Sequence, residues 1–149
     1  NVPNLDLEDH ERICTLIALL VREGVICQAH DISTGGLGVA IVEAAIARSA
    51  KPIGVELEIL PTRQQKNLRR EVLMFGETPG RFIVSCKPEQ EQQLKNLSKE
   101  YGITIAAQGE VKGREIKIKG LCECSIAANT ARRIWGSGLN HVFSVAEEE

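Results

Sequence analysis

At 149 residues the chain has the length of one ordinary domain, enough to bury a single core without disulfides or a metal. Hydrophobic residues make up 43% of it and charged residues 26%, and 18 basic against 20 acidic side chains leave a net charge of -2, which argues against a basic nucleic-acid surface. No apolar run approaches the roughly 20 residues that span a bilayer, and the opening NVPNLDLEDHE lacks the basic-then-apolar order of a signal peptide, so a cytoplasmic chain with no membrane or nucleic-acid partner is expected.

Asp6 to Val21 places Leu7, Ile13, Leu16, Ile17 and Leu20 close to helical spacing, with Asp6 as the N-cap and Gly24 just past the end, and predicts a first helix. Val25 to Ala29 is a short apolar run suited to a buried strand, and the Ala-rich Leu37 to Arg48 reads as a second helix. Ile53 to Ile59 alternates Val55, Leu57 and Ile59 with Glu56 and Glu58, the pattern of a strand with one wet face, which Pro61 closes. The polar stretch Thr62 to Arg70 predicts a short surface helix. Arg81 to Cys86 is β-branched and apolar enough for a central strand, and Pro88 to Tyr101 follows as a charged amphipathic helix stopped at Gly102.

Ile103 to Val111 and Glu115 to Lys119, separated by KGR around Gly113, predict a hairpin. A last helix is expected within Ser125 to Trp135, and the terminal AEEE is expected to fray. This order of elements mixes crossovers with antiparallel pairing and predicts one α+β domain over residues 1–149, a mixed sheet covered by helices.

Two segments concentrate chemistry. In QAHDISTGGLGVAIVEAAIA, a strand delivers His30 and Asp31 to a sheet end, and Ser33, Thr34, Gly35 and Gly36 open a helix. Unpaired N–H groups and the positive end of the dipole favour an anion there, and glycines let a phosphate approach the backbone. Ser33 or Thr34 can add a hydroxyl donor, Asp31 can hold a magnesium ion bound to phosphates, and His30 is a further neighbour of the site. The same residues also fit a plain N-cap with a glycine pair for a tight turn, and neither the P-loop string nor the dinucleotide fingerprint is present.

In MFGETPGRFIVSC, Met74 to Cys86, Glu77 can accept from ligand hydroxyls or amides and Arg81 can fork a phosphate or carboxylate. A Glu77–Arg81 ion pair that only stabilises the loop is the alternative. Elsewhere, His10 and His141 read as solvated surface groups, and Arg132, Arg133 and Trp135 as an interface patch or a Trp anchor against the core. The five cysteines are odd in number and mostly set in apolar segments, which argues against a disulfide framework. Cys122 and Cys124 alone suggest a metal, and CEC lacks a second ligand pair nearby, so incidental thiols are favoured over zinc.

Taken together, AHDISTGGLGVAIVEAA and LMFGETPGRFIVS resemble two strings of the C-terminal domain of the aminoimidazole ribonucleotide synthetase superfamily, most closely the formylglycinamide ribonucleotide amidotransferases (phosphoribosylformylglycinamidine synthases). The likeness spans nearly the whole chain, through Gly109–Val111 to the tryptophan-bearing helix. It implies a mixed sheet between helices, partly ferredoxin-like, and an ATP- and magnesium-dependent C–N ligase of purine biosynthesis. It also implies a preceding N-terminal ATP-binding domain in the same parent, carrying the catalytic groups, and a glutaminase and small accessory subunits as partners. A homodimer is a further candidate assembly.

By the same resemblance, Asp31 matches a metal-assisting aspartate, Gly35 and Gly36 the glycine turn, and Glu77 and Arg81 a substrate-loop pair; none is expected to be catalytic in this chain. The family chains carry two such C-terminal domains, and HDISTGGL with GETPGR looks more like the second, beside a pseudo-symmetric nucleotide site. Gly38 stands where the family usually has alanine. The alternatives are a selenophosphate, thiamine monophosphate or hydrogenase-maturation member of the superfamily, or a non-enzymatic phosphate-binding interaction domain.

Overall fold

The computed structural model describes residues 6–47, 52–59, 61 and 67–138. In chain order the elements are α1 (Leu7–Arg22), β1 (Gln28–Asp31), α2 (Gly36–Ile46), β2 (Val55–Ile59), α3 (Arg70–Phe75), β3 (Phe82–Ser85), α4 (Glu91–Glu100), β4 (Ala107–Val111), β5 (Glu115–Gly120), β6 (Cys124–Ala127) and α5 (Ala128–Ser137). They fall into two compact units, Asn1–Ala44 with Leu60–Ala107, and Ala45–Ile59 with Gln108–Glu149.

In the first unit, the Asp6 carboxylate accepts from the N–H groups of Glu8 and Asp9 at 3.0 and 3.1 Å, which fixes the start of α1 as its sequence anticipates. The core gathers Leu16 and Leu20 of α1 with Val25 and Ile26, and Ile17, Val84, Leu94, Leu97, Tyr101 and Ile103 pack around them. Each fully buried aliphatic side chain of this kind contributes about 1.5 to 3 kcal/mol. β1 and β3 form a two-stranded antiparallel sheet. β1 starts three residues later than Val25, because Val25 and Ile26 enter the core as irregular chain while the ladder forms at Gln28.

In the second unit the sheet order is β4-β2-β5-β6. β2 runs parallel to β5, with Val55 opposite Ile116 and Leu57 opposite Ile118, and β5 is antiparallel to β6. The architecture is thus α+β with a mixed sheet, as expected, and the hairpin expected between β4 and β5 is corrected: β2 lies between them. Gly54 enters the KGR link, donating to the Gly113 carbonyl and accepting from the Lys112 N–H, both at 3.0 Å. A Cβ on Gly54 would lie 2.4 Å from the Lys112 carbonyl oxygen, so only glycine threads that gap.

The last helix begins at Ala128, and the residues before it, Cys124–Ala127, form the edge strand β6. α5 buries Ala128 and Ala131 while Trp135 is half-exposed, so the tryptophan is not a core anchor. The surface helix expected at Thr62 to Arg70 lies mostly outside the described residues, and the helix described there starts at Arg70. His141 and the acidic tail also lie outside them.

Candidate functional site

The antiparallel register brings the two chemical segments together. His30 faces Ile83 and Asp31 faces Phe82, and the Ile32 N–H donates to the Arg81 carbonyl at 2.9 Å. The loop leaving β1 and the loop entering β3 therefore share one end of the sheet.

At that end Gly35 and Gly36 both have positive φ, 80° and 67°, and the Gly36 N–H donates to the Ser33 carbonyl at 2.9 Å in a tight turn. A Cβ on Gly36 would lie 2.6 Å from the carbonyl carbon of Phe75, so the first turn of α2 touches the end of α3 backbone to backbone. A Cβ on Gly35 would strike Val39 at 2.5 Å. The glycine pair thus has a packing reason independent of any ligand. Gly38 has one too: a Cβ there would come within 3.0 Å of the Phe75 ring and 3.3 Å of Met74.

Glu77 reaches across from the GETPGR loop and accepts the Gly35 N–H at 2.8 Å. A carboxylate at the positive end of a helix is favoured by about 0.3 to 1 kcal/mol. Arg81 does not pair with it. Its Nη1 donates to the Gly76 carbonyl at 3.3 Å and its Nη2 to the Leu73 carbonyl at 3.5 Å, which satisfies the C-terminal end of α3. Burial pushes the Arg81 guanidinium below its ordinary value, and it remains charged. His30 turns toward α2, its Nε2 lying 3.1 Å from the Glu43 carboxylate, both part-buried.

The side chains of Asp31, Ser33 and Thr34 are exposed, and among the described residues they make no hydrogen bond. They, with the second carboxylate oxygen of Glu77, are the groups at this end that can meet a ligand. Asp31 is a single carboxylate, and among the described residues no group of three or more His, Cys, Asp and Glu side chains could hold a metal.

Two features escaped the sequence reading. His10 is half-buried rather than solvated: its Nδ1 is enclosed without a partner, next to Gly80 of the GETPGR loop, and its Nε2 lies 3.8 Å from the Cys14 sulfur. In the second unit, Glu56 joins Lys112 at 2.9 Å and Lys117 at 3.5 Å, while Glu110 and Glu115 hold the same lysines at 3.0 Å. Glu56, Glu115, Lys112 and Lys117, with Arg114, line an open cavity of about 270 Å³. The alternating glutamates of VELEI and lysines of EIKIK were its signal; the parallel pairing that joins them was not visible.

The AIR synthase related protein, C-terminal domain family matches residues 2–120, and the chain belongs to that family. Among curated proteins it is similar to the phosphoribosylformylglycinamidine synthase subunit PurL of Thermoanaerobacter sp. (strain X514), 33% identical over 117 residues, 78% of this chain and 15% of that protein. It is 37% identical over 119 residues to PurL of Methanocaldococcus jannaschii, covering 79% and 15%. The chain therefore spans about 15% of the length of these relatives. Among solved structures, phosphoribosylformylglycinamidine synthase II of Thermotoga maritima shares the fold with a TM-score of 0.66 at 14% identity, over 87% of this chain and 22% of that one. T. maritima PurL complexed with ATP gives 0.62 at 15% identity, over 80% and 21%.

Proposed function

We propose that this chain acts as the C-terminal domain of a phosphoribosylformylglycinamidine synthase, an ATP-dependent C–N ligase converting formylglycinamide ribonucleotide to the formylglycinamidine in purine biosynthesis. Its identity to PurL sequences supports this over the selenophosphate, thiamine monophosphate and hydrogenase-maturation branches. A preceding ATP-binding domain of the same parent supplies the catalytic groups, and a glutaminase and small accessory subunits complete the enzyme. The observation that carries the reading is the shared sheet end, where exposed Asp31, Ser33 and Thr34 stand before the N-terminus of α2 and the Glu77 loop closes over it.

The exposed hydroxyls fit a phosphate, and a lone carboxylate fits magnesium only with phosphate oxygens and water as the other ligands, the coordination that ion favours. When bound, magnesium-ATP would supply the phosphoryl group that activates the glycinamide carbonyl oxygen for displacement by ammonia, the formyl group being retained. This chain's residues would form one wall of that cleft: Ser33 and Thr34 would donate to phosphate oxygens, Asp31 would hold the magnesium ion, and Glu77 would accept from a ligand hydroxyl with the oxygen that Gly35 leaves open. Gly35 and Gly36 set the backbone of the wall, His30 braces β1 on α2 through Glu43, and Arg81 works by holding the loop to the end of α3.

Two or three such contacts, each about 1.5 to 3 kcal/mol, are set against about 4 to 15 kcal/mol of lost translational and rotational freedom, so the isolated chain should be a weak binder and inactive alone. Incubated with ATP, magnesium, ammonia and formylglycinamide ribonucleotide, the chain by itself should form no ADP. Sustained turnover would overturn the division of labour.

A further inference from the structure

Cys122, in the link after β5, and Cys124, the first residue of β6, lie on either side of Glu123, and their sulfurs are 3.8 Å apart. Both ends of this link are anchored. Gly120, at φ 82°, sits where a Cβ would lie 2.5 Å from the Ile59 carbonyl oxygen, and Leu121 is buried. Cys124 is fixed by its ladder position opposite Ile118. The backbone therefore presents the two thiols to each other, and forming a bond requires the side chains to rotate until the 3.8 Å gap closes. Cys124 is exposed and Cys122 half-buried.

We infer that the Cys122–Cys124 pair is a site of reversible thiol–disulfide exchange with small-molecule disulfides of the glutathione class. The Cys124 thiolate attacks one sulfur of the reagent, its S–S bond breaks, and one glutathione leaves as a thiolate that takes up a proton. Cys122 then loses its proton and attacks Cys124 in the mixed disulfide, forming the internal S–S bond and expelling the second glutathione. Two protein thiols are oxidised and one external disulfide is reduced to two thiols. The ring closed by cysteines one residue apart is small and strained, the property of a labile disulfide rather than a structural one. Cys86 is a poor competitor, because burial first, and then Glu91 and Cys27, push its thiol up and leave less thiolate to react.

The sequence provides a clean readout, since cleavage after Lys119 and Arg132 releases one peptide, residues 120–132, that holds both cysteines and no others. The folded chain is exposed to glutathione disulfide, its remaining thiols are alkylated, and that peptide is weighed. It is expected about 2 mass units below its reduced form and free of alkyl groups, returning to the doubly alkylated form after dithiothreitol. In Cys122→Ser, Cys124 should instead carry a stable glutathione adduct. Persistence of two alkyl groups in the wild-type peptide while Cys14 or Cys27 becomes glutathionylated would overturn the inference, as would separate glutathione adducts on Cys122 and Cys124.

Discussion

Gly36 is the residue with the least freedom in the site. Its φ of 67° and the 2.6 Å approach of Phe75 leave no room for a side chain, so Gly36→Ala combines left-handed strain with a backbone clash. The strain alone is about 1 to 2 kcal/mol, and Gly36→Ala should cost more than that. Gly113→Ala, at φ 66° with open space around it, should cost about that much and no more. Urea unfolding of the two variants separates clash from strain; equal losses would show that α2 and α3 do not touch as described. Glu77 supplies a second residue-scale prediction. Glu77→Ala should speed hydrogen exchange at the Gly35 amide and move its resonance, because the carboxylate is that amide's acceptor.

These residues also show what could be read beforehand. HDISTGG and GETPGR were recognisable as a pair, since glycine, hydroxyl and carboxylate types declare a helix start and a polar loop. The partner of each was hidden. Gly35 could have met a ligand, yet Glu77 already occupies its N–H, and Arg81 could have paired with Glu77, yet the carbonyls of Leu73 in α3 and of Gly76 just past it draw it away. A side chain with several equally plausible partners is decided by tertiary geometry, which a single sequence does not contain.

At the scale of elements, the same limit explains β2. Its alternation announced a strand, and the turn glycine in KGR announced a hairpin, but nothing local states that β2 inserts between the hairpin's arms beside Ile116 and Ile118. The insertion assembles the Glu56 cluster, and this makes stability depend on pH. Glu56 is held below its ordinary 4.5, first by the hydrogen bond from Lys112 and then by the charges of Lys112 and Lys117, against desolvation. Lys112 is held above 10.5 by Glu56 and then Glu110, and Lys117 mainly by Glu115.

The carboxylate contribution is therefore present above 4.5 and lost as pH falls through the lower folded value. The lysine contributions are present below 10.5 and lost as pH rises through the higher folded values. Glu56→Gln should flatten the acid limb of Tm against pH and reduce the salt sensitivity of the plateau. An unchanged acid limb would contradict the cluster. In the first unit, Leu16→Ala removes a core side chain from under α1 and should cost about 2 to 5 kcal/mol by urea unfolding.

At the scale of the whole molecule, the α+β class was legible in the long periodic helices and the family, whose model matches residues 2–120, in two specific strings. The architecture of two compact units was not, since contacts between distant segments such as β2 and β5 define them. On the proposed reading this chain supplies one wall of a cleft, and its binding energy should be correspondingly partial. Magnesium-ATP titrated into the isolated chain tests this most directly, with the amide resonances of Ser33, Thr34, Gly35 and Gly36 followed to several millimolar. Saturable shifts confined to those residues and the Glu77 loop are predicted. Resonances that stay fixed throughout, or shifts centred on residues of the second unit, would contradict a phosphate wall at this end of the β1–β3 sheet.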